Sequence, residues 1–474
     1  MKALVRLSTE LTTKARGTRK RFTRRLVLNI EAALKANGLS ATVIPAHSRL
    51  HLEHDDPRAI AVVCRAFGVH SVLPGWKEPF VSLENIVERG RALMIDQVRG
   101  RSFAVRARVR DGNAQFRSHD VNVALGAALA FEGKVNLDEP DVTCRVEVRD
   151  GWVFYYCEIV PGVSGLPIGT GGRATLLLSG GFDSAVAAHM MWSRGVVLTF
   201  VCCRLGGEPH ERAVLEVGNR LTERWGAGLT HRVVVVPFEG LAERIRTEVQ
   251  ERYRQLALKH FMYQAAAAVA RRTRSDAIVT GESIGQVSSQ TLRNLTVLEM
   301  ECRVPVLRPL VALRKDEILE RARRIGTSEL SEKVPEYCAM AVHKPSTSAN
   351  ALALREQVER LAVNIEELFD GAHWIDLPSG DEVASQPTKE PAPANAAVLD
   401  LRSEAARSSH TIAGARTVDP LTILETPALL DSTVPYLIVC DEGSRSAWFA
   451  ERLCALGFRA WVRKGNAYRE GTPS

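Results

Sequence analysis

Leu176–Ser184 reads LLLSGGFDS, and the fold of the middle of the chain follows from how this stretch is read. The apolar run that begins at Thr175 ends in a strand, and a helical period runs from Ser184 to Arg194. Between them, Ser179, Gly180, Gly181, Phe182, Asp183 and Ser184 must turn the chain sharply. Two glycines permit that turn and bring backbone N–H groups toward an anion. The helix opening at Asp183/Ser184 adds its N-terminal amides and positive dipole end. A plain glycine turn with an Asp/Ser helix cap would use the same residue types. No G-x-x-x-x-G-K-[ST] occurs, so a Walker-type loop is excluded.

Outward from this loop, apolar runs alternate with helical periods. Val196–Cys203 precedes a helix over Glu211–Trp225, and Arg232–Pro237 precedes a helical region reaching Arg272. Ala277–Thr280, Val304–Leu307 and the helix Lys315–Ile325 complete the series. Such alternation specifies an α/β domain with a parallel sheet, whose ligands bind at the carboxyl ends of the strands. Thr280–Gln290 (TGESIGQVSSQ) follows a strand end with small residues, either as a polar loop or as a place where a ligand nears the backbone.

The chain has 474 residues, enough for about three domains, with 45% hydrophobic and 25% charged residues. That balance excludes global disorder, and no apolar run is long enough to cross a bilayer. Met1–Glu10 does not read as a secretory signal, so the expected address is cytoplasmic with no membrane partner. The net charge is +7, yet residues 1–35 alone carry ten Lys/Arg against two Asp/Glu. A basic excess at one end suits a polyanion such as nucleic acid, or simply a solvated helix face. In Phe103–Arg110 (FAVRARVR), Arg106, Arg108 and Arg110 alternate with Val105, Ala107 and Val109. Period two puts three guanidinium groups on one strand face, suited to phosphates, or to an edge strand kept soluble by charge. Nine cysteines, with no C-x-x-C pair, argue against a disulfide framework or zinc ribbon.

Residues 377–397 are rich in Pro, Ala and polar groups and read as a linker. Beyond them lie the strands Val398–Arg402 and Tyr436–Cys440, a helix-poor stretch between, and a helix over Ala447–Leu456. Cys440-Asp441-Glu442-Gly443-Ser444-Arg445-Ser446 follows a strand and precedes that helix. Consecutive amides, a helix N-terminus and an arginine around a thiol stabilise a thiolate or persulfide. A buried cysteine with a capping loop would look similar.

Ser179–Ser184 (SGGFDS) resembles the PP-loop of ATP pyrophosphatases, which cleave ATP between its α- and β-phosphates and activate a substrate oxygen as an adenylate. C-x-x-G-x-R-S and the Asp400/Arg402 pair resemble rhodanese domains. Together with FAVRARVR, HDVNVALG, NLDEPDVTCRVEV, GLPIGTGG, VTGESIGQVSSQTLRNL and VPEYCA, the chain resembles the tRNA 4-thiouridine synthetase (thiamine-biosynthesis sulfurtransferase) family over its whole length. The resemblance implies an α/β multidomain chain. A ferredoxin-like domain would span 1–76, a THUMP RNA-binding domain 77–165, a PP-loop domain 173–370, a linker 371–396 and a rhodanese-like tail 397–474. It further implies that Ser179, Gly180, Gly181 and Ser184 grip pyrophosphate, while Asp183 holds Mg2+ or orients the phosphates. Leu177 and Leu178 would contact the adenosine, and Lys259, Gly281 and Gln290 would complete the ATP site. Lys315 would support adenylation or phosphate charge. Cys440 would carry persulfide from a cysteine desulfurase, and Cys338 would be its redox partner, the linker letting the tail reach the nucleotide. The implied reaction is ATP-dependent sulfur transfer to C4 of a tRNA uridine. A sulfur relay that loads a sulfur-carrier protein of thiamine synthesis, without tRNA, is the alternative.

Overall fold

The computed structural model describes residues 2–46, 49–112, 114–226, 229–334, 345–377, 392–393, 395–402, 404–425, 429–431, 433–440, 446, 449–450, 453–454 and 458–464. Cys338, most of the linker, the loop 441–445 and much of the expected helix Ala447–Leu456 lie outside the described residues.

The N-terminal third builds one nine-stranded sheet. Strand Val69–Pro79 is its joint, pairing with Lys2–Leu7 through Val69–Gly75 and with Trp152–Tyr156 through Trp76–Pro79. Helices Arg16–Ala36 and Arg58–Cys64 cover one half. The first buries Phe22, Leu26, Val27, Ile30, Ala33 and Leu34, a helical stripe that leaves Arg16 and Arg21 exposed. Helices Leu83–Val98 and Ser118–Leu129 cover the other half. Strand Ser102–Val109 shows the expected alternation: Val105 and Ala107 are buried, Arg106 and Arg108 exposed. Its N–H groups are partly satisfied by side chains of the covering helix, Ala107 donating to Asn122 Oδ1 at 2.6 Å and Val109 to Ser118 Oγ at 2.9 Å.

A connector pins this sheet to the next unit, with Asn29 donating to the Ile168 carbonyl and Ser8 to that of Gly165. The six-stranded sheet runs in the order Val306–Leu307, Ala277–Val279, Arg173–Leu177, Val197–Arg204, His231–Pro237, His373–Leu377. All neighbours are parallel except the last, so the expected parallel sheet is present. Val233, Val234, Val235 and Val236 are fully buried, as a sheet covered on both faces requires. Part of the stretch read as a linker is the antiparallel edge strand His373–Leu377, whose Ile375 and Leu377 pack into this core.

A four-stranded parallel sheet ends the chain, in the order Arg416–Thr417, Ala397–Asp400, Tyr436–Cys440, Ala460–Lys464. Helices Glu404–Ser409 and Pro420–Glu425 occupy the middle that the sequence reading left without helix. Each has six residues, too short to show a clear helical period.

Candidate functional site

Strand order places the site. The chain steps from Arg173–Leu177 outward to Val197–Arg204 and His231–Pro237, then returns to Ala277–Val279 on the opposite side of the first strand. Order therefore reverses between Arg173–Leu177 and Ala277–Val279, and crevices at such switch points hold ligands. The loops leaving these two strands are Leu178–Gly181 and Thr280–Gln290.

The first loop is held by its own side chains. Ser184 Oγ donates to the Gly181 carbonyl at 3.0 Å and accepts from Ser179 N at 3.3 Å. Gly180 sits at φ 77°. A Cβ there would come within 3.1 Å of the Val214 Cα, so glycine is required for both conformation and space. Around Gly181 only Ser179 Oγ comes near an added Cβ, at 3.6 Å, which leaves the mouth open where helix Phe182–Ser193 begins. Leu177 is half-buried, and Leu178 is 2% exposed with its N–H bonded to Val201 O at 2.9 Å. Leu178 thus packs its side chain into the core and gives its N–H to the neighbouring strand.

The two loops meet at Gly281. A Cβ on it would lie 2.7 Å from the Asp183 carbonyl carbon and 2.9 Å from Ser184 N. Gly281 therefore acts by letting one loop rest on the backbone of the other. Asp183 is clasped from two sides. Lys315 Nζ donates to its Oδ1 at 3.0 Å, and Gln286 Nε2 to its Oδ2 at 2.8 Å. Lys315 opens the helix Lys315–Ile325, and its ammonium lies 5.6 Å from the Phe182 ring centroid. Gln290 acts from inside the second loop: its Oε1 accepts from Ser283 N at 3.1 Å and its carbonyl from Gly285 N at 3.0 Å.

Lys259 reaches the site through a residue that sequence reasoning missed. Its Nζ donates to Glu282 Oε1 at 2.6 Å, and Glu282 is 5% exposed. The other carboxylate oxygen accepts from Thr280 Oγ1 at 3.0 Å, Arg308 Nε at 3.1 Å and the Tyr263 hydroxyl. Burial works to raise the Glu282 carboxyl, but the charges and hydrogen bonds of Lys259, Tyr263 and Arg308 outweigh it and hold it below its ordinary value. Burial and the nearby carboxylate push the Tyr263 phenol well up. Gln286 and Arg308 were missed too. The available signal was positional, since Glu282 and Arg308 are single charges just past the ends of adjacent strands.

The chain before the undescribed segment 335–344 ends beside the first loop, an added Gly180 Cβ lying 3.0 Å from Val334 Cγ2. After that segment, Ser346 is tied to Arg252 O and Asn294 Nδ2. Cys440 lies in a different sheet. It ends the strand Tyr436–Cys440, is 3% exposed, and its Sγ accepts from Ser446 N at 3.2 Å. Asp400 and Arg402 form a buried bidentate pair, Nη2 to Oδ2 at 2.8 Å and Nε to Oδ1 at 3.0 Å. Burial opposes ionisation of Asp400, and the Arg402 bonds overcome it.

A doubly wound sheet with an anion-receiving loop at its switch point defines a nucleotide-binding α/β enzyme domain, here preceded by a basic α/β sheet. Family comparisons agree in detail. The thiamine biosynthesis protein (ThiI) family matches residues 169–363, the THUMP domain 81–158 and the ThiI ferredoxin-like domain 2–72. A tRNA sulfurtransferase of Saccharophagus degradans is 34% identical, covering 97% of this chain and 98% of its own length. A probable tRNA sulfurtransferase of Sulfurisphaera tokodaii is also 34% identical, covering 79% of this chain and 99% of its own. A crystal structure of a 4-thiouridine synthetase–RNA complex with bound ATP has a TM-score of 0.70 and 30% identity, covering 80% of this chain and 99% of its own. This chain belongs to the tRNA sulfurtransferase family and is an enzyme of that family. No helix among the described residues is long and apolar enough to cross a membrane.

Proposed function

We propose that this chain uses ATP to activate O4 of a tRNA uridine as its adenylate and then installs sulfur at C4, forming 4-thiouridine. The observation that carries the reading is Asp183, held by Lys315 and Gln286 at the switch point beneath the Gly281 loop. The amides of Ser179–Ser184 and the helix start receive the phosphates that leave as pyrophosphate. Leu177 and Leu178 border the adenosine, and Lys259, Gly281 and Gln290 shape the remaining wall. Lys315 offsets negative charge that gathers as the α-phosphate is attacked. Gln286 Oε1 is buried with no partner among the described residues, an acceptor beside Asp183 that suits a hydrated cation. No cluster of three or more metal-ligating side chains occurs among the described residues, so Mg2+ would be held by Asp183 together with the phosphates. When bound, Mg2+ supplies charge neutralisation on the leaving pyrophosphate.

Cys440, in a rhodanese-like tail, carries the sulfur as a persulfide received from a cysteine desulfurase. The terminal sulfur attacks C4 and AMP leaves with the bonding electrons. Cys338 thiolate then attacks Cys440 Sγ, releasing 4-thiouridine and leaving a Cys338–Cys440 disulfide that an external thiol reduces. The same persulfide serves a sulfur-carrier protein in the thiamine branch, and the enzyme works in the cytoplasm. The RNA is gripped through phosphates by Arg106, Arg108 and the basic helix Arg16–Ala36.

The test is nucleoside mass spectrometry of tRNA incubated with protein, Mg-ATP, cysteine desulfurase and cysteine. Thiouridine formed by the wild type, and lost in Cys440→Ala and in Asp183→Ala, is the expected result. No thiouridine from a wild type whose tail still takes up sulfur overturns the tRNA reading in favour of a sulfur relay.

A further inference from the structure

The antiparallel pairing between strands Val142–Arg149 and Trp152–Tyr156 ends at Arg145 and Tyr156, and Cys144 and Cys157 are the next residues beyond that pair. Their sulfurs are 3.9 Å apart, and neither is in a disulfide. Cys144 is fully buried on strand Val142–Arg149, beneath the helices of the second half of the nine-stranded sheet. Cys157 is half-buried where the chain leaves the sheet. The two thiols are inequivalent. Cys157 is favoured as thiolate by the Cys144 S–H and by the Arg145 charge, which overcome its burial. Cys144 is pushed the other way by the same hydrogen bond and by burial. A half-buried sulfur at the strand end, backed by a fully buried one at contact distance, has the arrangement of an attacking and a resolving cysteine.

We infer that Cys144 and Cys157 form a reversible dithiol–disulfide couple that reacts with low-molecular-weight disulfides. Cys157 thiolate attacks one sulfur of RSSR, forming a Cys157–SR mixed disulfide and expelling RS⁻. Cys144 gives its proton to RS⁻ and attacks Cys157 Sγ, displacing the second RS⁻, which takes up the proton that Cys157 had released to solvent on ionising. Two protein thiols are oxidised and RSSR is reduced to two RSH. The sulfurs need to close by only about 2 Å to reach bonding distance. Past Cys157 the chain runs to Val160–Pro161, which pairs with Ser71 and Val72 of the joint strand. The bond thus staples the segment linking the two halves of the N-terminal sheet. None of this depends on the reaction proposed for Cys338 and Cys440.

Full-length protein carrying Cys338→Ala and Cys440→Ala is equilibrated with glutathione and glutathione disulfide, alkylated, and mapped by peptide mass spectrometry. The expected result is a Cys144–Cys157 cross-link that grows with the disulfide fraction, while Cys202 and Cys203 stay alkylatable. In Cys144→Ala, Cys157 accumulates as the glutathione mixed disulfide. Backbone hydrogen exchange over 157–163 slows in the oxidised wild type. Alkylation of both cysteines at every ratio overturns the inference, and so does a Cys157 that stays unmodified in Cys144→Ala. The wild-type cross-link reads out even where the alanine variant does not fold.

Discussion

Replacing Glu282 by Gln keeps its shape and removes one charge from the network under the nucleotide loops. Lys259, its side chain only 22% exposed, then loses its carboxylate, while Arg308, 10% exposed, keeps only Glu299 at 2.5 Å. Breaking a buried pair costs about 3–5 kcal/mol because the remaining charge is poorly solvated. The new amide also points a donor at Lys259 or at Arg308, where only an acceptor suits. With a urea slope of about 1–3 kcal/mol/M, that cost moves the unfolding midpoint of this domain down by about 1–5 M. Urea-dependent hydrogen exchange with peptide resolution reads the domain separately, through helix Arg254–Thr273 and strand Ala277–Val279. Glu243→Gln, which removes an exposed partner of Arg246, serves as control and leaves the midpoint essentially unmoved. The carboxyl of Glu282 is held below its ordinary 4.5, so its contribution is complete above that value and fades as pH falls through the lower folded value. Wild type and variant therefore converge in acid and diverge toward neutral pH. A midpoint within about 0.3 M of wild type at pH 7 would refute the reasoning.

Gly281→Ala forces a methyl against the Asp183 backbone, which has no flexible end to yield. A loss of about 1–3 kcal/mol in thermal melts is expected, together with weaker ATP binding by calorimetry. Lys315→Met leaves Asp183 its Gln286 bond but removes its cation. The half-exposed site keeps the fold by circular dichroism, while single-turnover thiolation drops about 10²–10³-fold. Arg106→Glu combined with Arg108→Glu weakens tRNA binding and lowers the slope of log affinity against log salt by about 2, measured by filter binding; an unchanged slope would remove both from the phosphate contacts.

The doubly wound sheet was legible because strand and helix periods alternate cleanly around SGGFDS, and the helix Lys315–Ile325 matches its reading to the residue. Arg106 and Arg108 were legible for the same reason, since a period of two decides which face a side chain takes. Glu282 was not, because burying a carboxylate depends on cations from a helix 23 residues earlier and a strand end 26 residues later. Sequence spacing does not announce that convergence. Gln286 was hidden similarly, as its partner Asp183 lies 103 residues away. Gly281 was read as part of the ATP site, and its geometry adds a packing constraint that only the approach of the two loops reveals. The continuity of the N-terminal sheet was also hidden. One long strand pairs with one half along its first part and the other half along its last, and no local pattern marks where a strand changes partners.

The placement of the thiols bears on how the chemistry divides. The three family matches end at residue 363, and a relative almost wholly covered by 79% of this chain shares 34% of its residues. Everything that holds Asp183, from Gly281 to Lys315 and the Glu282 network, lies before that point. The tail can therefore be altered without touching a residue that positions the nucleotide loops. Cys440 in turn rests on contacts of its own sheet, the Ser446 amide and the register with Lys464. In the proposed reaction, two cores stabilised by different residues would let activation of the base and loading of the thiol proceed independently. On this division, loss of Cys440 stops sulfur transfer yet spares ATP-dependent activation, whereas loss of Asp183 stops activation, and with it transfer to tRNA, yet spares persulfide loading of Cys440. A single step requiring both centres at once would instead make the two losses indistinguishable.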